Sequence, residues 1–99
     1  MHARVTILQM DPSRIDVAVS QLEEEDLPGW KEIDGFKGFT LLVDRASGKV
    51  IGTSYWSTPE QMRASEEAVA PSRRRAADTG GATSAPQVEL YEVAIDTEV

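Results

Sequence analysis

The segment from Gly35 to Gln61 constrains the fold of this chain more than any other stretch. Residues 40–44 (Thr-Leu-Leu-Val-Asp) and 50–56 (Val-Ile-Gly-Thr-Ser-Tyr-Trp) are rich in β-branched and aromatic residues and read as strands. The short connection between them places Gly48 where a tight hairpin loop requires a positive φ. Thr58-Pro59-Glu60-Gln61 follows at once as a helix capping box with proline at the first helical position. Strand, tight loop, strand and helix start therefore succeed one another without a break.

The flanking sequence extends this unit on both sides. Residues 2–10 carry Val5, Ile7 and Leu8 among Arg4, Thr6 and Gln9 and read as a first strand. Asp11-Pro12 stops that strand and caps a helix expected over residues 12–26. Ile15, Val19, Leu22 and Asp26 fall on one stripe of it, with Ala18 beside them. Leu27-Pro28-Gly29 is expected to end that helix, and Trp30 and Ile33 suggest another short helical turn before Gly35. In the second long helix Met62, Ser65 and Val69 share a face, beside Ala64 and Ala68, and Pro71 is expected to kink or break it. One more helical segment, 72–79, closes at Gly80-Gly81, and residues 82–86 form a loop. The last strand is expected over residues 88–95, with Tyr91, Val93 and Ile95 on one side and Val88, Leu90 and Ala94 on the other; residues 96–99 are expected to fray.

The order β-α-β-β-α-β predicts a ferredoxin-like α+β fold, a four-stranded antiparallel sheet with both helices on one face. Right-handed crossovers follow for each βαβ half. The 99 residues make a single domain. Thr40-Leu41-Leu42-Val43 is apolar on both faces, and helices cover only one. A second copy packed sheet to sheet would cover the other, so a homodimer is expected.

Composition narrows the function classes. A net charge of −7 argues against nucleic acid and anionic membranes as partners. The absence of cysteine excludes disulfides, thiol nucleophiles and zinc ribbons, and fits a cytoplasmic protein. No apolar run approaches the ~18 residues of a membrane span, and the chain opens directly in a strand pattern rather than a signal peptide.

Several motifs resemble the dimeric α/β barrel proteins of the antibiotic-biosynthesis-monooxygenase type. They are Gly-Phe-x-Gly-Phe (35–39), Asp-x-x-x-Gly-x-Val (44–50), Tyr-Trp-Ser-Thr-Pro-Glu (55–60), Ala-Ser-Glu-Glu-Ala (64–68) and Val-Glu-Leu-Tyr-Glu-Val (88–93). The resemblance spans nearly the whole chain. It implies a small cofactor-independent monooxygenase acting on a hydrophobic aromatic molecule, with a non-catalytic dimeric ligand-binding or structural domain as the alternative. Haem degradation in that family needs an asparagine on strand one, a tryptophan on helix two and an axial histidine further on. This chain has no asparagine, no tryptophan in that register, and a single histidine, His2, at its other end. No haem and no other cofactor is therefore expected.

Candidate site residues come from the second half of the chain. Val50, Gly52, Ser54 and Trp56 share one face of their strand, and the small members leave volume that side chains or a ligand must fill. Met62 and Ser65 can form the opposite wall, and Arg73 can stand near the mouth, so Ser54, Trp56, Met62, Ser65 and Arg73 are the expected ligand-binding residues. The competing expectation is that Trp56 is core and Gly52 serves close packing. Arg73-Arg74-Arg75 suits an anionic ligand group, a balance for the acidic surface, or a dimer interface. Ser54, Tyr55, Ser65, Tyr91 and Arg73 are possible hydrogen-bond donors, but none forms a recognisable catalytic dyad, so no catalytic residue is assigned. Glu23-Glu24-Glu25-Asp26 points around the helix circumference and is expected to be a solvated face, not a metal site.

Overall fold

In the computed structural model, which describes residues 1–98, four strands form one antiparallel sheet. They are β1 (His2–Gln9), β2 (Phe36–Val43), β3 (Lys49–Trp56) and β4 (Gln87–Glu92), in the order β2-β3-β1-β4. The helices are α1 (Ile15–Gln21), α2 (Leu27–Trp30), α3 (Pro59–Ala64) and α4 (Glu66–Thr79). This is the ferredoxin-like α+β arrangement that the hydrophobic pattern predicts. The expected frayed tail falls partly at residue 99, outside the described residues; residues 93–98 have no regular secondary structure.

The hairpin forms as its sequence dictates. Gly48 has φ +83°, its N–H donates to the Asp44 carbonyl at 2.8 Å, and the Asp44 carboxylate accepts from the Ala46 N–H at 3.1 Å. The Gly48 carbonyl accepts from the Met10 N–H at 2.8 Å, and a Cβ at position 48 would lie 2.1 Å from the Met10 carbonyl oxygen. The loop is therefore tied to the end of β1. Thr58 accepts from the Gln61 N–H at 3.1 Å and starts α3 with Pro59 in its first turn. Asp11 accepts from both the N–H and the hydroxyl of Ser13, but it opens a 3₁₀ turn (Pro12–Arg14) before α1 rather than α1 itself. At the end of α4 the Ala82 N–H returns to the Ala77 carbonyl and the Gly81 N–H to Asp78, with Gly81 at φ +66°. That is a Schellman closure.

Two helix boundaries differ from expectation. Helix one does not yield at Leu27-Pro28-Gly29. A π-helical stretch (Leu22–Asp26) carries it into α2, with the Leu27 N–H bonded to the Leu22 carbonyl. The wider turn shifts the hydrogen-bond register just before Pro28, which is how the helix continues past a residue that has no N–H to donate. The gain is burial of Trp30, which is 7% exposed. Nor does Pro71 break helix two, since α4 runs through it. The interruption lies at Ser65, whose hydroxyl donates to the Met62 carbonyl at 2.6 Å. The carbonyl that Pro71 leaves without a partner belongs to exposed Glu67, where water can take it.

The core lies between the sheet and the helices in two clusters. One comprises Leu8, Met10, Ile15, Ala18 and Val50; the other comprises Leu22, Trp30, Trp56, Met62 and Val69. Asp26 departs from the expected solvated acidic face: it is 5% exposed and paired with Arg75. The opposite sheet face, free of helices, presents Val5, Ile7, Leu42, Ile51, Tyr55 and Tyr91, with Leu42 57% exposed. Strand β4 ends at Glu92 rather than at residue 95, and it is exposed along its whole length.

Candidate functional site

A cavity of about 60 Å³ opens where the two core clusters meet. Its floor is the sheet row Leu41-Gly52-Thr6, its walls include Trp30 and Phe39 on one side and Leu8, Met10 and Val50 on the other, and α4 closes it with Val69, Ser72, Arg73 and Ala76. The volume exists because Gly52 has no side chain; a Cβ there would already lie 3.2 Å from the Phe39 ring. Trp30 and Phe39 meet edge to face with centroids 5.2 Å apart, a rigid aromatic wall. The polar groups in the lining are Thr6, Ser72 and Arg73. A cavity of ~150 Å³ holds a benzene ring, so an aromatic ligand must displace a flexible side chain to enter. Met10 is the adaptable one in this lining.

Of the expected ligand-binding residues, Arg73 lines the cavity. Ser54, Trp56, Met62 and Ser65 are brought together, but one pleat away and fully packed, each 4% exposed or less. The space above Ser54 is filled. Arg4 lies directly opposite it on β1, and the Trp56 indole N–H donates to the Ser54 hydroxyl at 2.9 Å. Phe36 packs edge-on against Trp56 at 5.4 Å, and the Arg4 guanidinium sits 5.8 Å from the Trp56 ring. Arg4 also donates to the Met62 carbonyl at 2.6 Å. Tyr55 and Tyr91 project from the open sheet face, where the Tyr91 hydroxyl donates to Glu89 at 3.0 Å and is held above its ordinary pKa by that carboxylate.

In the sequence Arg4 is a lone arginine in a strand pattern and looks like a solvent-facing residue. It is 3% exposed. Burial pushes its guanidinium below the ordinary value, while Glu66 opposes the shift. Glu66 in turn accepts both ends of the Arg73 guanidinium, at 2.9 and 2.7 Å, and this pairing lowers its carboxyl pKa. His2 lies opposite Trp56 at the start of β1, and the described residues contain no group of three or more potential metal ligands.

No protein-family model matches the chain. Two Mycobacterium tuberculosis (H37Rv) proteins, "Uncharacterized protein Rv2558" and "Uncharacterized protein Rv2557", are 41% identical over 95 residues and 42% identical over 94. The chain spans 39% and 41% of their respective lengths, against 96% and 95% of its own. Similar solved structures include a Streptomyces coelicolor monooxygenase from the gene ActVA-Orf6 in complex with nanaomycin D. Its TM-score is 0.78 and its identity 16%, covering 98% of this chain and 92% of that one. The heme-degrader MhuD of M. tuberculosis, with two hemes bound in its active site, has a TM-score of 0.77 at 17% identity, covering 99% and 100%. SnoaB, a cofactor-independent oxygenase of Streptomyces nogalater, has a TM-score of 0.69 at 13% identity, covering 96% and 94%. The chain shares the ferredoxin-like α+β fold of these solved structures.

Proposed function

We propose that this protein binds a hydrophobic small molecule in the cavity above Gly52, as a cofactor-independent monooxygenase-like protein acting on an aromatic compound. The observation that carries this reading is the cavity itself, which has an apolar lining, an aromatic wall of Trp30 and Phe39, and three polar groups, Thr6 in its floor and Ser72 and Arg73 on α4. Arg73 carries over from the expected ligand-binding set as a wall residue. Ser54, Trp56, Met62 and Ser65 act behind it as the packed support that fixes Arg4 and α4.

Chemistry without a cofactor places the burden on the substrate. An enolisable aromatic methylene can give electrons to oxygen directly, becoming a carbonyl while the second oxygen atom leaves as water. The protein's part is to exclude solvent and to donate hydrogen bonds from Thr6, Ser72 and Arg73. Anthrone tests this, since its product, anthraquinone, is measured with oxygen uptake. The expected result is faster conversion than in buffer, lost in a variant with a filled cavity. A rate equal to the buffer rate would support the second reading, a non-catalytic binding domain. One observation favours that reading: Arg73 is the only ionisable group in the described cavity lining.

We further propose a homodimer packed through the open sheet face, where Leu42, Ile51, Tyr55 and Tyr91 form an apolar surface. The absence of cysteine fits a cytoplasmic setting. No described helix is long and apolar enough to cross a membrane.

A further inference from the structure

Two buried arginines, Arg4 and Arg73, share the half-exposed Glu66 in a cluster whose charge does not close. Arg73 grips Glu66 with both guanidinium ends, and Arg4 Nε lies 3.3 Å from the same Glu66 Oε1 without making a hydrogen bond to it. Two guanidinium groups thus share one carboxylate. The Arg4 and Arg73 side chains are 3% and 14% exposed, whereas Glu66 is 47% exposed. Among the described residues, no other carboxylate lies within ion-pair distance of either arginine. Asp26, also buried, is taken by Arg75.

The cluster is also short of acceptors. Arg4 Nε, Arg4 Nη1 and Arg73 Nε are buried and donate to no protein group. Buried polar groups are nearly always satisfied, and a buried charge without its counter-charge is strongly destabilising. Three such donors, on two residues that meet at one carboxylate oxygen, describe a place for an anion. Its position is tied to the cavity: Arg73 is in the lining, and Arg4 is one pleat from lining residue Thr6 on the same face of β1.

We infer that the cavity takes a small apolar molecule bearing one carboxylate, which lies against Arg73 in the lining and completes the charge of the cluster that Arg73 shares with Arg4. The inference rests on the reading that the cavity binds a small molecule, and it names the class. A carboxylate matches the cluster in charge. Its single negative charge equals the excess, and an oxygen of it can accept from the free Arg73 Nε. A phosphate dianion would instead leave an uncompensated negative charge against an apolar wall. Glu66, half-exposed at the edge of the cluster, is an internal competitor for the same donors.

Benzoate and benzamide separate charge from shape, because they are nearly isosteric. Calorimetric titration of the full chain at pH 7 is expected to give benzoate a Kd about tenfold lower than benzamide, the ratio expected for one charge-assisted contact. Glu66→Gln removes the competitor and is expected to tighten benzoate several-fold while leaving benzamide unchanged. Arg73→Gln is expected to erase the preference for benzoate. Equal affinity for the two probes would overturn the carboxylate assignment and leave the cavity reading standing; binding of neither would overturn both. Should either variant fail to fold, the benzoate-to-benzamide ratio of the parent chain decides alone, since equal affinity contradicts the inference.

Discussion

Gly52 and Ser54 are alike in the sequence, two small residues on the helix-facing side of β3, yet only one of them leaves a void. Their cross-strand partners decide it. Ser54 faces Arg4 and Phe39 and takes the Trp56 indole bond, whereas Gly52 faces Thr6 and Leu41 and remains open above. Small residues on a strand are readable from sequence; the partner that fills or spares the space depends on register, and Arg4 carried no mark of burial. The distinction is testable with two substitutions. Ser65→Trp drives a large ring into packed core beside Met62 and is expected to cost at least the ~1–3 kcal/mol of overpacking. Ala76→Val points two methyl groups into the cavity and is expected to cost under ~1 kcal/mol while blocking ligand. Urea unfolding distinguishes them, and equal costs would place the void elsewhere. Thr58→Ala removes the hydroxyl cap and is expected to lower stability by ~1 kcal/mol by the same measurement; no change would mean that the cap bond contributes nothing.

Among the elements, the hairpin and the α3 start were legible because their signals are local: Gly48 at positive φ and the Thr58 cap act within a few residues. The π-helical turn and the uninterrupted α4 were not, because tertiary burial of Trp30 and Val69 outweighs what proline imposes locally. Three carboxylates hold these elements and have pKa values below their ordinary ones. Asp11 bonds Ser13 at the helix approach, Asp44 bonds Ser47 and Ala46 in the hairpin, and Glu66 bonds Arg73 on α4. A lowered carboxyl pKa contributes stability that is fully present above the ordinary values of 3.8 and 4.5 and is lost as pH falls through the folded values. Thermal melts are therefore expected to be flat from about pH 7 to 5 and to fall below about pH 4, chiefly through Glu66, since Asp11 and Asp44 are exposed and screened by solvent. Glu66→Gln should flatten part of that fall, and an identical acid limb in the variant would remove Glu66 from the account.

At the scale of the molecule, the sheet has one face committed to the helices and one that is apolar and bare. That second face was legible from the two-sided pattern of strand two, and the prediction it carries is a dimer. Light scattering at micromolar concentration is expected to give twice the chain mass, with Leu42→Lys shifting it toward the monomer; a folded monomer in the parent chain would contradict the sheet-to-sheet model. The absence of asparagine and the position of His2 at the start of β1 predict that hemin titration produces no stoichiometric Soret complex. The central claim is that the void above Gly52 is where a ligand sits, and the chain's two tryptophans test it most directly. Trp30 walls the cavity, while the Trp56 indole N–H is held by Ser54 one pleat away. In a ¹H–¹⁵N titration with 1-naphthol, the account predicts saturable shifts of the Trp30 indole, Gly52 and Ala76 signals with the Trp56 indole nearly still. Shifts centred instead on Ile51, Tyr55 and Leu42 of the open face, or no saturable shift at all, would contradict it.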